Sequence, residues 1–152
     1  MAIPLILHLV SVVIWVGGMF FAYQCLRPVA AQLLTPETRL PLWNEVFSRF
    51  FFWVWLAVIA IVVSGHWMIG VYGGMASVGK HVHIMLGLGY LMVAIYMHVY
   101  FALYRKFQKL VVNEDWQEAG AKLNKIRKWV GINLLLGLVL VGIASGGRYL
   151  LS

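Results

Sequence analysis

Five histidines, His8, His66, His81, His83 and His98, stand in a chain of 152 residues that is otherwise strongly apolar. An imidazole in or at the edge of a bilayer is costly without a partner, so several at one depth point to a ligand that uses them. Two neutral imidazoles on facing helices would serve as the axial ligands of a haem b. The same nitrogens beside thioethers would suit copper. The elements that carry the histidines decide which of them share a space.

Those elements are membrane helices. The chain is 62% hydrophobic and 11% charged, with a mean hydropathy of +0.86, a composition that a soluble domain of this size would not keep. Four apolar runs, 3–25, 50–70, 82–103 and 129–151, each hold about twenty residues. At about 1.5 Å per residue, that is enough for a helix to cross roughly 30 Å of hydrocarbon. The runs are continuous and do not alternate every second residue, which excludes a β-barrel. The expected fold is all-α: an integral membrane up-down four-helix bundle, one domain spanning 1–152.

The first run lacks a basic leading segment and a small-residue cleavage site, so it reads as the first helix and not as a signal peptide. The single Cys25 has no partner for an internal disulfide and reads as a small buried apolar residue. The formal net charge of +7 speaks of topology and not of nucleic acid. Arg27, Arg39 and Arg49 flank the connection 26–49, and Arg105, Lys106, Lys109, Lys122, Lys125, Arg127 and Lys128 crowd the connection 104–128, whereas Val71 to Lys80 holds only Lys80. Basic connections stay cytoplasmic, so both termini are expected on the outer, periplasmic side of a bacterial inner membrane. Pro36 to Phe47, after a capping Thr35, reads as a cytoplasmic surface segment, and Asn113 as an N-cap. The basic side chains there suit anionic lipid headgroups.

Helical phase sorts the histidines, since residues three, four and seven apart share a face. His8 stacks with Ser11, Trp15, Gly18 and Ala22. His83 stacks with Gly87, Tyr90 and Ala94, with His98 slightly rotated, and His81 lies about 200° away at about 100° per residue. The Gly87–Tyr90 stripe selects His83 as the inward one. His8 and His83 both lie just inside the outer ends of parallel helices, so they are expected to face each other and ligate haem b as the metal-binding pair. Gly18 and Gly87 would give the macrocycle room, Trp15 and Tyr90 would pack on it, and Arg148 would pair with its propionates. His66 is the substitute ligand, while His98, near the cytoplasmic end, would bond Asn133 or Arg49 or serve a quinone or a five-coordinate haem.

Several segments resemble a known family. His8-Leu9-Val10-Ser11-Val12-Val13-Ile14-Trp15-Val16-Gly17-Gly18 is similar to the opening of CopD-type copper-resistance membrane proteins and of the related HemJ-type protoporphyrinogen oxidases. Phe47-Ser48-Arg49-Phe50, the stretch from His83 to Gly89, and Ile126-Arg127-Lys128 with Asn133 extend the likeness over nearly the whole chain. The resemblance implies a small inner-membrane four-helix protein that binds haem b. Met85 stands where HemJ-type enzymes carry a lysine, and Arg27 and Pro28 stand where they carry a histidine. Both departures count against protoporphyrinogen oxidation.

The expected function is therefore a membrane oxidoreductase of cytochrome b type, passing electrons between the quinone pool and an acceptor at the outer face. The alternative is copper binding or uptake through His81 and His83, with Met75 and Met85 nearby. The expected partners are the lipid bilayer and a quinone, with glycines on the last helix compatible with a homodimer face.

Overall fold

The computed structural model describes residues 1–150, with Arg148 and Leu150 by their backbone alone. Four long helices make up the chain: α1 (Ala2–Leu33), α2 (Pro36–Val71), α3 (Lys80–Val112) and α4 (Trp116–Leu150). Each is long and apolar enough to cross a membrane. Side by side, α1 packs on α2 and α4, α3 packs on α4 and α2, and α2 also touches α4. The outer surface is a belt of exposed apolar side chains such as Ile3, Val13, Phe52 and Leu135. In water that surface would be untenable; in lipid it is solvated.

The connections at the basic end are far shorter than the breaks between apolar runs. Only Leu34 and Thr35 separate α1 from α2, and Pro36 occupies the first turn of α2. Pro36 to Phe47 is therefore part of α2 and not a separate surface segment. Its buried Leu40, Trp43 and Phe47 continue the same stripe as Phe51, Val54 and Val58, so one helical face runs unbroken into the bundle.

Asp115, not Asn113, caps α4, through Glu118 N–H to Asp115 Oδ1 at 3.2 Å. The preceding helix closes with Asp115 N–H on the Leu110 carbonyl and Glu114 N–H on Val111, with Glu114 at φ 55. This is the double closure of a helix ending in the left-handed region. At the other end, Gly74 N–H bonds Ile69 and Gly73 N–H bonds Gly70 in the same pattern, with Gly73 at φ 93 and Gly74 at φ 88. Glycine holds those angles without the steric penalty of a Cβ.

Packing differs sharply between the two halves. At the basic end and the middle, Phe47, Phe51, Tyr96, Tyr104 and Phe107 interlock as an aromatic core. Toward the end that holds the start of α1, the 72–79 loop and the end of α4, this core stops at the level of Trp15, Val58, Met92 and Leu134. Beyond it the helices enclose a cavity. Three stretches of wider, π-helical turn interrupt the long helices: Val13–Gly17, Phe21–Leu26 and Val99–Tyr104. The first carries Trp15 to the cavity floor. Cys25 is exposed on α1 and not buried, a position where lipid accepts a thiol as readily as a core does.

Candidate functional site

The cavity in the terminal half measures about 420 Å³ and takes side chains from all four helices. Its wall is mostly apolar, with the polar exceptions His8, His66, His81 and two tyrosines, Tyr72 and Tyr90. Three methionines, Met68, Met85 and Met92, also line it. Both faces of the donor set are thus present: imidazole nitrogen and thioether sulfur.

His8 is the most firmly positioned imidazole. Its Nδ1 lies 2.9 Å from Ser64 Oγ, and the buried Ser64 hydroxyl spends its single proton on the Ala60 carbonyl one turn below. Ser64 must therefore accept from His8, which fixes the proton on Nδ1 and leaves Nε2 as a free lone pair. The ring also rests on Gly65, where a Cβ would stand 3.3 Å from His8 Cε1. A hydrogen-bond partner behind an imidazole fixes its tautomer and the orientation of its ring.

His66 is held differently. Its Nδ1–H donates to the Val62 carbonyl at 2.8 Å, so Nε2 accepts, and Tyr90 O–H donates to it at 2.8 Å. Tyr90 is half-exposed at the cavity edge and stands edge-on to the imidazole, with ring centroids 5.9 Å apart. His81 also lines the cavity from the first turn of α3, its ring folded over Gly79 and its Cβ against Gly147 of α4.

The expected pair of His8 and His83 is not brought together on this cavity. His83 is exposed and absent from the lining, and its Nδ1–H donates to the Gly79 carbonyl at 3.3 Å. The inward face of α3 runs through His81, Met85, Gly89 and Met92, so helical phase favours His81. Gly87 is exposed, and Gly18 packs on the Phe50 ring away from the cavity. His98 sits in the other half, edge-on to Trp129 at 5.3 Å, while Asn133 donates to the Met92 carbonyl at 3.3 Å instead of to His98. The side chain of Arg148 lies outside the described residues. A haem held by His8 and His83 has no support in this arrangement, and with His66 as substitute the second nitrogen is already engaged by Tyr90.

Sequence reasoning passed over Ser64 and Gly65. Their signal was local: a hydroxyl and a glycine directly before a membrane histidine. Among the described residues no three His, Cys, Asp or Glu side chains converge as a metal cluster.

Comparison with known proteins gives one family. Neither the curated proteins nor the solved structures compared with the chain provide a match. The family model for copper resistance protein D matches residues 44–146, which takes in Ser64, His66, Met68, His81, Met85 and Met92 but not the α1 segment around His8. That match spans about two thirds of the chain, and this multi-pass membrane protein belongs to the CopD family.

Proposed function

We propose that the protein binds copper in the terminal-half cavity and handles it as cargo, with His8 as the fixed imidazole ligand and Met68, Met85 and Met92 as thioether donors. The observation that carries this reading is the His8–Ser64 pair: one imidazole nitrogen left free on a cavity that three thioether sulfurs also line. Thioether and imidazole together select copper(I) over harder divalent ions. Membership of a family described by copper resistance supports the same metal.

His81, at the start of α3 and nearest the loop, is the entry ligand in this account. His66 becomes available only when Tyr90 releases its Nε2, so the pair acts as a gate on the second imidazole. The basic connections, kept cytoplasmic by the positive-inside rule, turn the half of the bundle that holds the cavity to the outer face of a bacterial inner membrane. An acceptor of copper, or a source of it, would therefore be met from outside.

The test is copper(I) titration of the purified protein against a chromophoric chelator. Ser64→Ala removes the acceptor that fixes the His8 tautomer and no large side chain. It is expected to weaken copper(I) binding about 10- to 100-fold, the usual effect of losing an outer-shell partner, with the melting temperature little changed. Unaltered affinity in Ser64→Ala would remove the observation on which the proposal stands.

A further inference from the structure

A second cavity, of about 510 Å³, opens between α1, α2 and α4 at the basic end of the bundle. It shares no lining residue with the histidine cavity. Three arginines reach it from three helices: Arg27, Arg39 and Arg127. Among the described residues no carboxylate lines it. Its floor is apolar, built on Leu40, Trp43 and Phe47, all buried.

The depth of this cavity is informative. Arg27 follows the first apolar run by two residues, and Arg127 precedes the last by two, which puts both guanidiniums at the level where hydrocarbon gives way to headgroups. The Arg27 guanidinium also lies over the Tyr23 ring, 4.8 Å from its centroid, so the stack holds it beside the cavity. Three like charges on one cavity repel one another, and an anion between them relieves that repulsion. Guanidinium meets phosphate oxygens through paired hydrogen bonds.

We infer that this cavity binds an anionic phospholipid, its phosphate held by Arg27, Arg39 and Arg127 and part of an acyl chain laid on Trp43 and Phe47. The apolar floor directly beneath the arginines is what distinguishes an amphiphile from a free anion. A soluble phosphate would use the cations and leave the floor unused.

The experiment is native mass spectrometry of the detergent-purified protein titrated with three probes: phosphatidylglycerol, phosphatidylcholine of the same acyl chains, and inorganic phosphate. The wild type is expected to retain phosphatidylglycerol in preference to phosphatidylcholine. With each basic side chain near a membrane surface contributing about fivefold in affinity, the double variant Arg39→Gln/Arg127→Gln is expected to lose roughly 25-fold for phosphatidylglycerol. Arg39→Lys/Arg127→Lys, which keeps the charge, is expected to retain most of it, and this variant separates loss of the site from loss of the fold. Lys106→Gln/Lys128→Gln, outside the cavity, should bind as the wild type does. Equal retention of the two lipids, or an unchanged affinity in the glutamine variant, would overturn the inference. Full displacement of phosphatidylglycerol by inorganic phosphate at millimolar concentration would do so as well, because the site would then read a free anion.

Discussion

His8→Ala is expected to weaken copper(I) binding by at least about 100-fold, the upper end of what the loss of an outer-shell partner alone produces. The reason is positional. His8 is the imidazole whose proton is fixed on Nδ1 by Ser64, whose Nε2 is left free, and whose ring is backed by Gly65. His66 cannot simply replace it, because Tyr90 already donates to the nitrogen that would bind metal. His83→Ala makes the decisive comparison. On the phase argument from sequence the two histidines are equal partners, and both substitutions should be equally damaging. On the cavity geometry His83 points away, and its removal should change copper affinity less than about threefold, within the scatter expected of a residue that touches no ligand. Chelator competition on the two purified variants reads the difference directly.

The second large effect is on the fold. Phe51 is 3% exposed and stands at the centre of the aromatic core, stacked on Phe47 at 5.2 Å and met edge-on by Tyr96, Tyr100 and Tyr104. In a bilayer the apolar side chains gain little from leaving lipid, so close packing carries more of the association between helices. Phe51→Ala empties the middle of that packing and is expected to cost roughly 2 kcal/mol, from the cavity left behind at about 24 cal/mol per Å³. A thermal or denaturant unfolding series in detergent would show it as an early transition. Phe51 lies on neither cavity, so the protein that remains folded should still bind copper. Loss of copper binding in the folded fraction would mean that the core and the cavity are coupled, contrary to the separation described above.

Much of this architecture is written in the residues. Four apolar runs of spanning length gave the four helices, and the crowding of arginine and lysine at two connections marked one end of the bundle. What hydropathy concealed was continuity. Charges at Glu37, Arg39, Glu45 and Arg49 end an apolar window, yet the spacing of Leu40, Trp43, Phe47, Phe51, Val54 and Val58 keeps one face buried throughout α2. Phase was present in the sequence and hydropathy was not the property that expressed it.

The histidines divide along a similar line. The stripe of His8 and Trp15 does face inward, because a large aromatic and a polar ring both find partners there: Trp15 is buried and edge-on to Tyr96, and His8 meets Ser64. The choice between His81 and His83 rested on glycine and tyrosine as signs of an inward face. In a membrane helix a glycine leaves space on whichever side it stands, and Gly87 is exposed. Tyr90 sits at the rim with its hydroxyl turned to α2. The stripe that lines the cavity is instead His81, Met85, Gly89 and Met92. Ser64 could not be paired with His8 from spacing, because the contact joins residues 56 apart on separate helices.

The identity of the bound group tests the central claim most directly. Protein purified from cells supplied with both copper and haem precursors should be analysed for metal content and, on the same sample, for absorption in the oxidised and reduced states. The account predicts a copper-to-protein ratio near unity, abolished by His8→Ala, with no haem bands. Stoichiometric haem with the reduced α-band of a low-spin cytochrome b, and no copper, would contradict it.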